Sequence, residues 1–465
     1  MTGLNSSGQS SFQLIIPLIL VLFLLIGFAT LIPVLSTTKT LGLVAGLVIF
    51  VASFMSTDIA LYILIFSMLL SPEFIVGSTG GASLGRGVTL RLDDFILLII
   101  GFTWLAKMSI NKDLGLFLRT PLNKPIAYYI LACLVSTLLG ALFGRVQLKT
   151  GFFFVLKYFE YMVVYFMVVN HLKNKRQVRN YLWAMLITCA IVSFIAIFQI
   201  PGGGRVSAPF EGEAGEPNTL GGYLLLMISM TIGVFLTSSS FRNRLIYGSL
   251  IILFFIPLLF TQSRSTYVAV FPAIITFLFL SEKKKFIFAA MIVIGISLPF
   301  LAPRAAKERV SFTFGQGRFR TDVVELGGVK LDTSTSARLF SWISASRDWI
   351  KHPFLGFGVT GYRFLDAQYF RVMLETGFVG LILFSILLIT IFKKARQSFG
   401  LSVNNFEKGL SMGYIAGFIG LLFHGLGSNT FIIVRIMEPF WFLTAMVVMF
   451  PELDDDRVPA GNPGL

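Results

Sequence analysis

Apolar residues in this chain do not alternate with polar ones. They accumulate in runs of ~15–25 residues separated by short polar or basic links, and a helix needs ~20 mainly apolar residues to cross ~30 Å of hydrocarbon. The pattern therefore predicts a series of membrane-spanning helices. Fourteen candidate spans are legible, at 12–35, 41–55, 57–70, 92–108, 123–144, 151–170, 181–200, 219–237, 245–261, 265–281, 286–302, 369–392, 408–426 and 431–450. The second and third also read as one tilted helix, so the expected count is about 12–14. A transmembrane β-barrel would need ~10-residue segments with a polar alternate face, whereas Phe12–Leu35 and Leu245–Phe260 are apolar nearly all round. The expected fold class is all-α, a polytopic transmembrane helix bundle. The first run is too long for a signal h-region and shows no clear small-residue cleavage site, so it reads as a retained helix.

One interval departs from this rhythm. It divides the chain into an N-terminal bundle over 1–302, with about 11 spans, a long loop over 303–368, three C-terminal spans over 369–450 and a tail over 451–465. Within the loop, 336–351 (SARLFSWISASRDWIK) reads as a helix, with Leu339, Ile343 and Ile350 at helical spacing. Trp342 and Trp349 flank this stripe, Ser341, Ser344 and Asp348 fall opposite, and Arg338 lies at the boundary. Thr335 or Ser336 can cap its start and Pro353 limits its continuation. A short helix with two tryptophans beside an apolar stripe suits a membrane interface.

Composition sharpens the picture. Of 465 residues, 55% are hydrophobic and only 13% charged, too few to cover the surface of a soluble protein, where charged residues make up ~25%. The net charge of +15 does not indicate nucleic acid, because no basic cluster with interleaved aromatics lies in a soluble-looking domain. Most of it lies in links: 107–124 (Lys107, Lys112, Arg119, Lys124), 171–180 (Lys173, Lys175, Arg176, Arg179), 242–244, 283–285 and 393–408. Lys and Arg mark cytoplasmic loops. Counting from these links puts both termini inside and places Ser71–Arg91, Pro201–Asn218, Gln262–Arg264 and Pro303–Gln368 on the outer face. The long loop is basic too, but loops beyond ~60 residues are largely exempt from the charge rule. Cys133 and Cys189 lie within apolar runs, which supports neither a disulfide framework nor a zinc site.

The outer face holds the candidate chemistry. After Pro201 the chain brings Arg205, Glu211, Glu213, Glu216 and Asn218 together among glycines, as a solvated loop or as a phosphate-binding one in which Arg205 supplies donors. Arg264 stands in a turn of a few residues between two spans, flanked by Ser263, Ser265 and Thr266. At the membrane boundary such an arginine snorkels or has an anionic partner. His352, beside Pro353, is either a helix terminator or a base. Asp366 precedes the next span, with Tyr369, Arg371 and Glu375 behind it, and is either a solvated cap or a site group.

Four stretches, GRVSAPFEGEAGEPN, FTQSRSTYVA, SARLFSWISASRDWIKHPFLGFG and LDAQYFRVMLETGFVGL, occur in order around the long loop. Over about 200–382 the chain thereby resembles the O-antigen ligase and polysaccharide polymerase superfamily of multispan transferases. The resemblance implies a donor glycan on a polyprenyl diphosphate and transfer to an acceptor hydroxyl, on a glycan or lipid, with inversion. It implies that Arg205 and Arg264 hold the diphosphate, with Arg338 as a third arginine; Glu216, Asn218, Ser263, Tyr369 and Glu375 stand beside these as supporting candidates. In the ligase branch a histidine just before the span after the long loop activates the acceptor. This chain has LDAQYF there, closer to the polymerase branch, so Asp366 becomes the first candidate base, with His352 fourteen residues earlier.

Elementary chemistry fits these roles. A leaving diphosphate gathers negative charge that fixed guanidinium groups can stabilise, and the acceptor hydroxyl needs a general base. No DxD pair or His cluster stands on the outer face, so no metal and no cofactor is expected. The expected enzyme is a polymerase of polysaccharide repeat units in the cytoplasmic (inner) membrane, acting on the extracytoplasmic face. Its expected partners are the lipid-linked donor, the acceptor, membrane lipids and a chain-length regulator or flippase, and not nucleic acid. Two alternatives remain: a ligase attaching finished glycan to lipid A core or protein, and a transporter of lipid-linked sugars. The second should show two related halves with charged or broken mid-span helices.

Overall fold

A computed structural model describes residues 37–75, 89–110, 120–211, 215–301, 325–326, 329–330, 333–363 and 365–453. The expected span 12–35, Glu213, most of 303–332 and the tail beyond 453 lie outside the described residues. Fourteen α-helices stand among those described, and every expected span from 41–55 onward falls on one of them. The protein is an all-α, multi-pass membrane bundle. Two short antiparallel hairpins, Glu73–Ile75 (β1) with Thr89–Arg91 (β2) and Glu325–Leu326 (β3) with Val329–Lys330 (β4), were not legible in the hydropathy pattern.

The chain divides into two compact units, Met1–Leu64 with Asp93–Leu118, and Ile65–Leu92 with Arg119–Leu465. The boundary runs through helices α2 (Thr57–Leu70) and α3 (Leu92–Ile110). The first unit contains α1 (Thr37–Met55), which Ser56 separates from α2, so 41–70 is two helices. Gly46 lets α1 approach α3, where a Cβ on it would stand 3.5 Å from Ile99 Cδ1.

The second unit contains α4 (Asn123–Leu142), α5 (Leu148–His171), α6 (Lys175–Gln199), α7 (Pro217–Thr237) and α8 (Phe241–Phe260). It continues with α9 (Arg264–Leu280), α10 (Lys284–Leu301), α11 (Thr333–Trp349), α12 (Gln368–Leu401), α13 (Asn405–His424) and α14 (Val434–Met449). Among the described residues seven helices, α4 to α8, α12 and α14, are long and apolar enough to cross a membrane. Caps fix several starts: Asn174 and Gln177 form a capping box on α6, and Ser263 and Asn404 accept from backbone N–H groups of α9 and α13.

The centre of this unit is the α7–α13 contact. Gly409, Gly413 and Gly417 recur every fourth residue on α13 and face α7. A Cβ on Gly413 would lie 2.7 Å from the Ser229 carbonyl oxygen, and one on Gly233 would lie 2.2 Å from that of Gly409. Association of helices in lipid rests on close van der Waals packing, which small residues permit. α7 and α14 are accordingly buried along most of their length, while α8 turns most of its surface outward.

The long helix α12 breaks at Gly377, whose φ of 66° and ψ of −165° suit only glycine. The segment before α12 repairs the break. Phe357 and Gly358 N–H donate to the carbonyls of Leu374 and Glu375 at 2.8 and 2.9 Å. Phe378 and Val379 N–H donate to the carbonyls of Pro353 and Phe354 at 2.7 and 3.2 Å. The same segment is fastened to α4: Ser136 Oγ bonds the carbonyls of Leu355 and Glu375, and Val359 N–H donates to Thr137 Oγ1 at 3.2 Å. Non-helical backbone at membrane depth is tolerated only when buried and satisfied in this way.

The loop helix differs from its expected bounds. α11 starts at Thr333 and ends at Trp349, so Ile350 lies past its end. Its tryptophans face the protein: Trp342 stacks on Phe370 with ring centroids 5.4 Å apart, and Trp349 Nε1 donates to the Pro353 carbonyl at 3.2 Å. Phe340, Ile343 and Ile350 are exposed.

Gly377→Ala should therefore strain the break, because a Cβ there would stand 2.3 Å from Phe354 C and O and φ is positive. We expect a loss of ~1–3 kcal/mol or more, measured as a lower melting temperature in mild detergent. Gly400→Ala on the same helix, where a Cβ meets nothing within 4 Å, should not lower it.

Candidate active site

One end of the second unit gathers the end of α6, the starts of α7, α9, α12 and α14, and the ends of α8 and α13. Hydrogen bonds between their connecting segments make this end a single structure. Arg205, in the segment after α6, donates from Nε to the Thr261 carbonyl at 3.0 Å and from an Nη to the Gln262 carbonyl at 3.5 Å. Gln262 takes a positive φ of 50°, which turns the chain sharply into α9 and leaves Arg264 as its first residue. Ser263 caps that helix, accepting from Thr266 N–H at 3.3 Å, and its hydroxyl donates to Asn218 Oδ1 at 2.7 Å. Arg205, Asn218, Ser263 and Arg264 thus share one corner. Glu216 is tied into it, its N–H donating to Glu211 Oε2 at 2.7 Å and its carboxylate accepting from Thr219 Oγ1 at 3.2 Å.

A second group lies between α11 and α12. Arg338 and Asp366 form an ion pair at 3.1 Å, each side chain 29% exposed. Partial burial raises the Asp366 carboxyl above the usual aspartate range, although Arg338 and Arg371 pull it back. The resulting carboxylate is more basic than a solvated one.

The link 425–433 between α13 and α14 joins the two groups. Ser265 Oγ, next to Arg264, donates to the Gly427 carbonyl at 2.8 Å. A Cβ on Gly427 would lie 3.9 Å from Arg338 Nη1 and 2.6 Å from Ser265 Oγ. The same link holds the start of α12. Asn429 Nδ2 donates to the Leu365 carbonyl at 2.9 Å, Gln368 N–H donates to the Gly425 carbonyl at 3.0 Å, and Phe431 N–H donates to Gln368 Oε1 at 2.9 Å. Asp366 is therefore held along the chain between two anchored residues, Leu365 and Gln368.

The remaining candidates fall elsewhere. The Tyr369 hydroxyl donates to the Leu422 carbonyl at 2.7 Å, and Glu375 accepts from Arg371 Nε at 3.0 Å and from Thr360 N–H at 3.1 Å. Both act as struts of the α12 start. The His352 ring meets Phe357 edge-on at 4.7 Å. Burial, Arg145 and Lys351 push its pKa below the ordinary histidine value. It belongs to the repaired break, not to the Arg338–Asp366 pair.

The hydropathy reading passed over one arginine. Arg435, on the first turn of α14, is fully buried and donates to the carbonyls of Leu69, Pro209, Ser71 and Phe210 at 3.1, 2.7, 3.1 and 3.4 Å. It also pairs with Glu73 at 3.3 Å and approaches Glu211 at 4.0 Å. Burial pushes Glu211 up to about 7 against the pull of Arg435. Nearby, Arg91 and Glu438 are 3.6 Å apart and both buried. The signal was present, since a charged residue inside an expected span marks a special site by default. Among the described residues no group of three or more His, Cys, Asp and Glu is placed to hold a metal ion.

Residues 248–385 match a family model described as O-Antigen ligase. The matched stretch carries Arg264, Arg338, His352, Asp366, Tyr369 and Glu375, and stops short of Arg205, Glu216 and Asn218. No curated protein matches the chain.

Two arginines of this end should differ in what they contribute to stability. Arg435→Ala leaves buried carboxylates and carbonyls without their donor and should cost ~3–5 kcal/mol, seen as loss of the monodisperse species on size exclusion in detergent. Arg205→Ala, at an exposed residue, should cost no more than ~1–1.5 kcal/mol and keep that species.

Proposed function

We propose, from the match of residues 248–385 to the O-Antigen ligase family model, that the chain is a membrane enzyme of the ligase or polymerase type of that superfamily and that it polymerises lipid-linked polysaccharide repeat units. The donor in this reading is a glycan on a polyprenyl diphosphate, and the acceptor is a hydroxyl of a second glycan. The reaction takes place at the extracytoplasmic face of the cytoplasmic (inner) membrane. The observation that carries the proposal is the Arg338–Asp366 pair tied through Gly427 and Ser265 to the corner that holds Arg264 and Arg205.

In this mechanism Arg264 and Arg205 hold the diphosphate, where charge grows as the bond to the sugar breaks. Bidentate guanidinium–phosphate pairing suits that task. Asp366 takes the proton of the acceptor hydroxyl, whose oxygen attacks the anomeric carbon from the side opposite the leaving group, giving inversion in one displacement. Arg338 orients the Asp366 carboxylate. With guanidinium groups carrying the leaving-group charge, transfer proceeds without a metal ion. The neighbourhood of Asp366, where the ligase branch has histidine, favours elongation over attachment to lipid A core or protein. A chain-length regulator or a flippase would act beside the enzyme.

Complementing a deletion strain tests the proposal. Arg264→Ala should reduce product formation by ~10²–10³-fold and Asp366→Asn by ~10²–10⁴-fold, with normal membrane insertion, while wild-type membranes keep their turnover in EDTA. In the deletion strain single lipid-linked repeats should accumulate on gels; accumulation of full-length lipid-linked chains would instead identify a ligase.

The pH profile gives an independent check. A base must be ionised to act, and the Asp366 carboxyl lies above the usual aspartate range, so kcat/KM should fall on the acid side at a pH higher than an ordinary aspartate would give. Arg338→Ala removes the group that pulls this value down, so the acid limb should move further up; an unmoved limb would assign the base elsewhere.

A further inference from the structure

At the opposite end of the second unit lies a cavity of about 260 Å³. It is formed by the start of α6, the end of α7, the start of α8 and the start of α13, with Arg179, Trp183, Ser239, Asn243, Tyr247 and Asn405 among its lining residues. α7 has 21 residues, which at 1.5 Å per residue puts this cavity ~30 Å from the arginine corner. It belongs to the other membrane face.

Its walls have a definite chemistry. The rings of Trp183 and Tyr247 stack with centroids 5.4 Å apart and planes at 21°. The Arg179 guanidinium lies 5.2 Å over the Phe406 ring. A guanidinium stacked on an aromatic face keeps its in-plane N–H donors available. No carboxylate among the described residues pairs with it. The acids of this end have other partners, Glu407 with Lys175 at 2.9 Å and Glu282 with Lys408. Lys173 before α6, Arg176 on its first turn, and Arg242 and Arg244 on the first turn of α8 add further positive charge.

We propose that this cavity binds the phosphate-bearing head group of an anionic phospholipid. Arg179 is placed to hold the phosphate, and Asn243, Asn405 and the serine hydroxyls to hold its glycerol or ester oxygens. The volume is below the ~300–1,000 Å³ of sites for drug-sized ligands, which suits a head group and not a whole sugar–lipid. A lipid is favoured over free phosphate by the surroundings. Phe241 and Leu245, on the same turns of α8 as Asn243, are 81% and 62% exposed and need acyl chains against them. Tryptophan and tyrosine favour this depth of a membrane, and a basic surface attracts the anionic lipids of the cytoplasmic leaflet. The proposal does not depend on the transfer chemistry at the other end.

The full-length protein, purified in neutral detergent, is titrated with mixed micelles of phosphatidylglycerol or phosphatidylcholine, and retained lipid is counted by native mass spectrometry alongside the melting temperature. Phosphatidylglycerol should bind saturably and raise the melting temperature, while phosphatidylcholine should do neither. Arg179→Ala should weaken that binding by at least roughly tenfold, the loss of a charge-assisted contact. Arg179→Lys, which keeps the charge without the fork, should lie between, and Arg176→Ala should bind as wild type. Equal binding of the two lipids, or wild-type binding by both Arg179 variants, overturns the proposal. Displacement of the lipid by an equal concentration of inorganic phosphate overturns it in favour of a free anion.

Discussion

A helix that breaks inside an apolar bundle must find partners for the backbone groups it releases, because each one left buried and unpaired costs ~1–3 kcal/mol. In this protein the break is at Gly377, and the partners are the backbone groups of Pro353, Phe354, Phe357 and Gly358. That exchange joins the end of the long loop to the middle of α12. It also decides what the loop can present. Beyond 353–358, which is locked against α4 and α12, Asp366 stands beside Arg338. His352 is consumed in the lock, packed on Phe357, which is why a residue that looks reactive in the sequence stands apart from the ion pair.

The link between α13 and α14 supplies the second constraint. It is short and rich in small residues, yet it contacts α9 through Ser265, α11 through Arg338 and the start of α12 through Asn429 and Gln368. Backbone carbonyls of Gly427, Leu365 and Gly425 hold α9 and the start of α12 to this link, although they are far apart in sequence. Backbone acceptors serve well here because they bring no charge of their own that would neutralise the arginines.

Charges are distributed between two environments. Arg435, Arg371 and Arg91 are buried, and each faces a carboxylate: Glu73, Glu375 and Glu438. A buried charge without such company would be strongly destabilising. Arg205 and Arg338 keep contact with solvent, and Arg205 spends its donors on carbonyls. In the proposed mechanism it is arginines of the second kind that exchange these contacts for a phosphate.

The sequence by itself determined the membrane bundle, nearly all of the helices among the described residues, the presence of a helix in the long loop and the short set of polar residues worth attention. Those features rest on local composition: ~20 apolar residues form a crossing helix whatever surrounds them, and a sparse charge stands out against an apolar background. The sequence did not determine which of those polar residues meet. Hydropathy treats Gly377 as one more residue of a span, although its positive φ and the repairing loop make it the hinge of the site. It also counts Arg435 as a blemish in 431–450, although that side chain ties together Leu69, Ser71, Pro209 and Phe210. Only the tertiary structure decided these matters, because hydrogen bonds and ion pairs between segments hundreds of residues apart depend on distance in space, and a linear pattern carries no information about that distance.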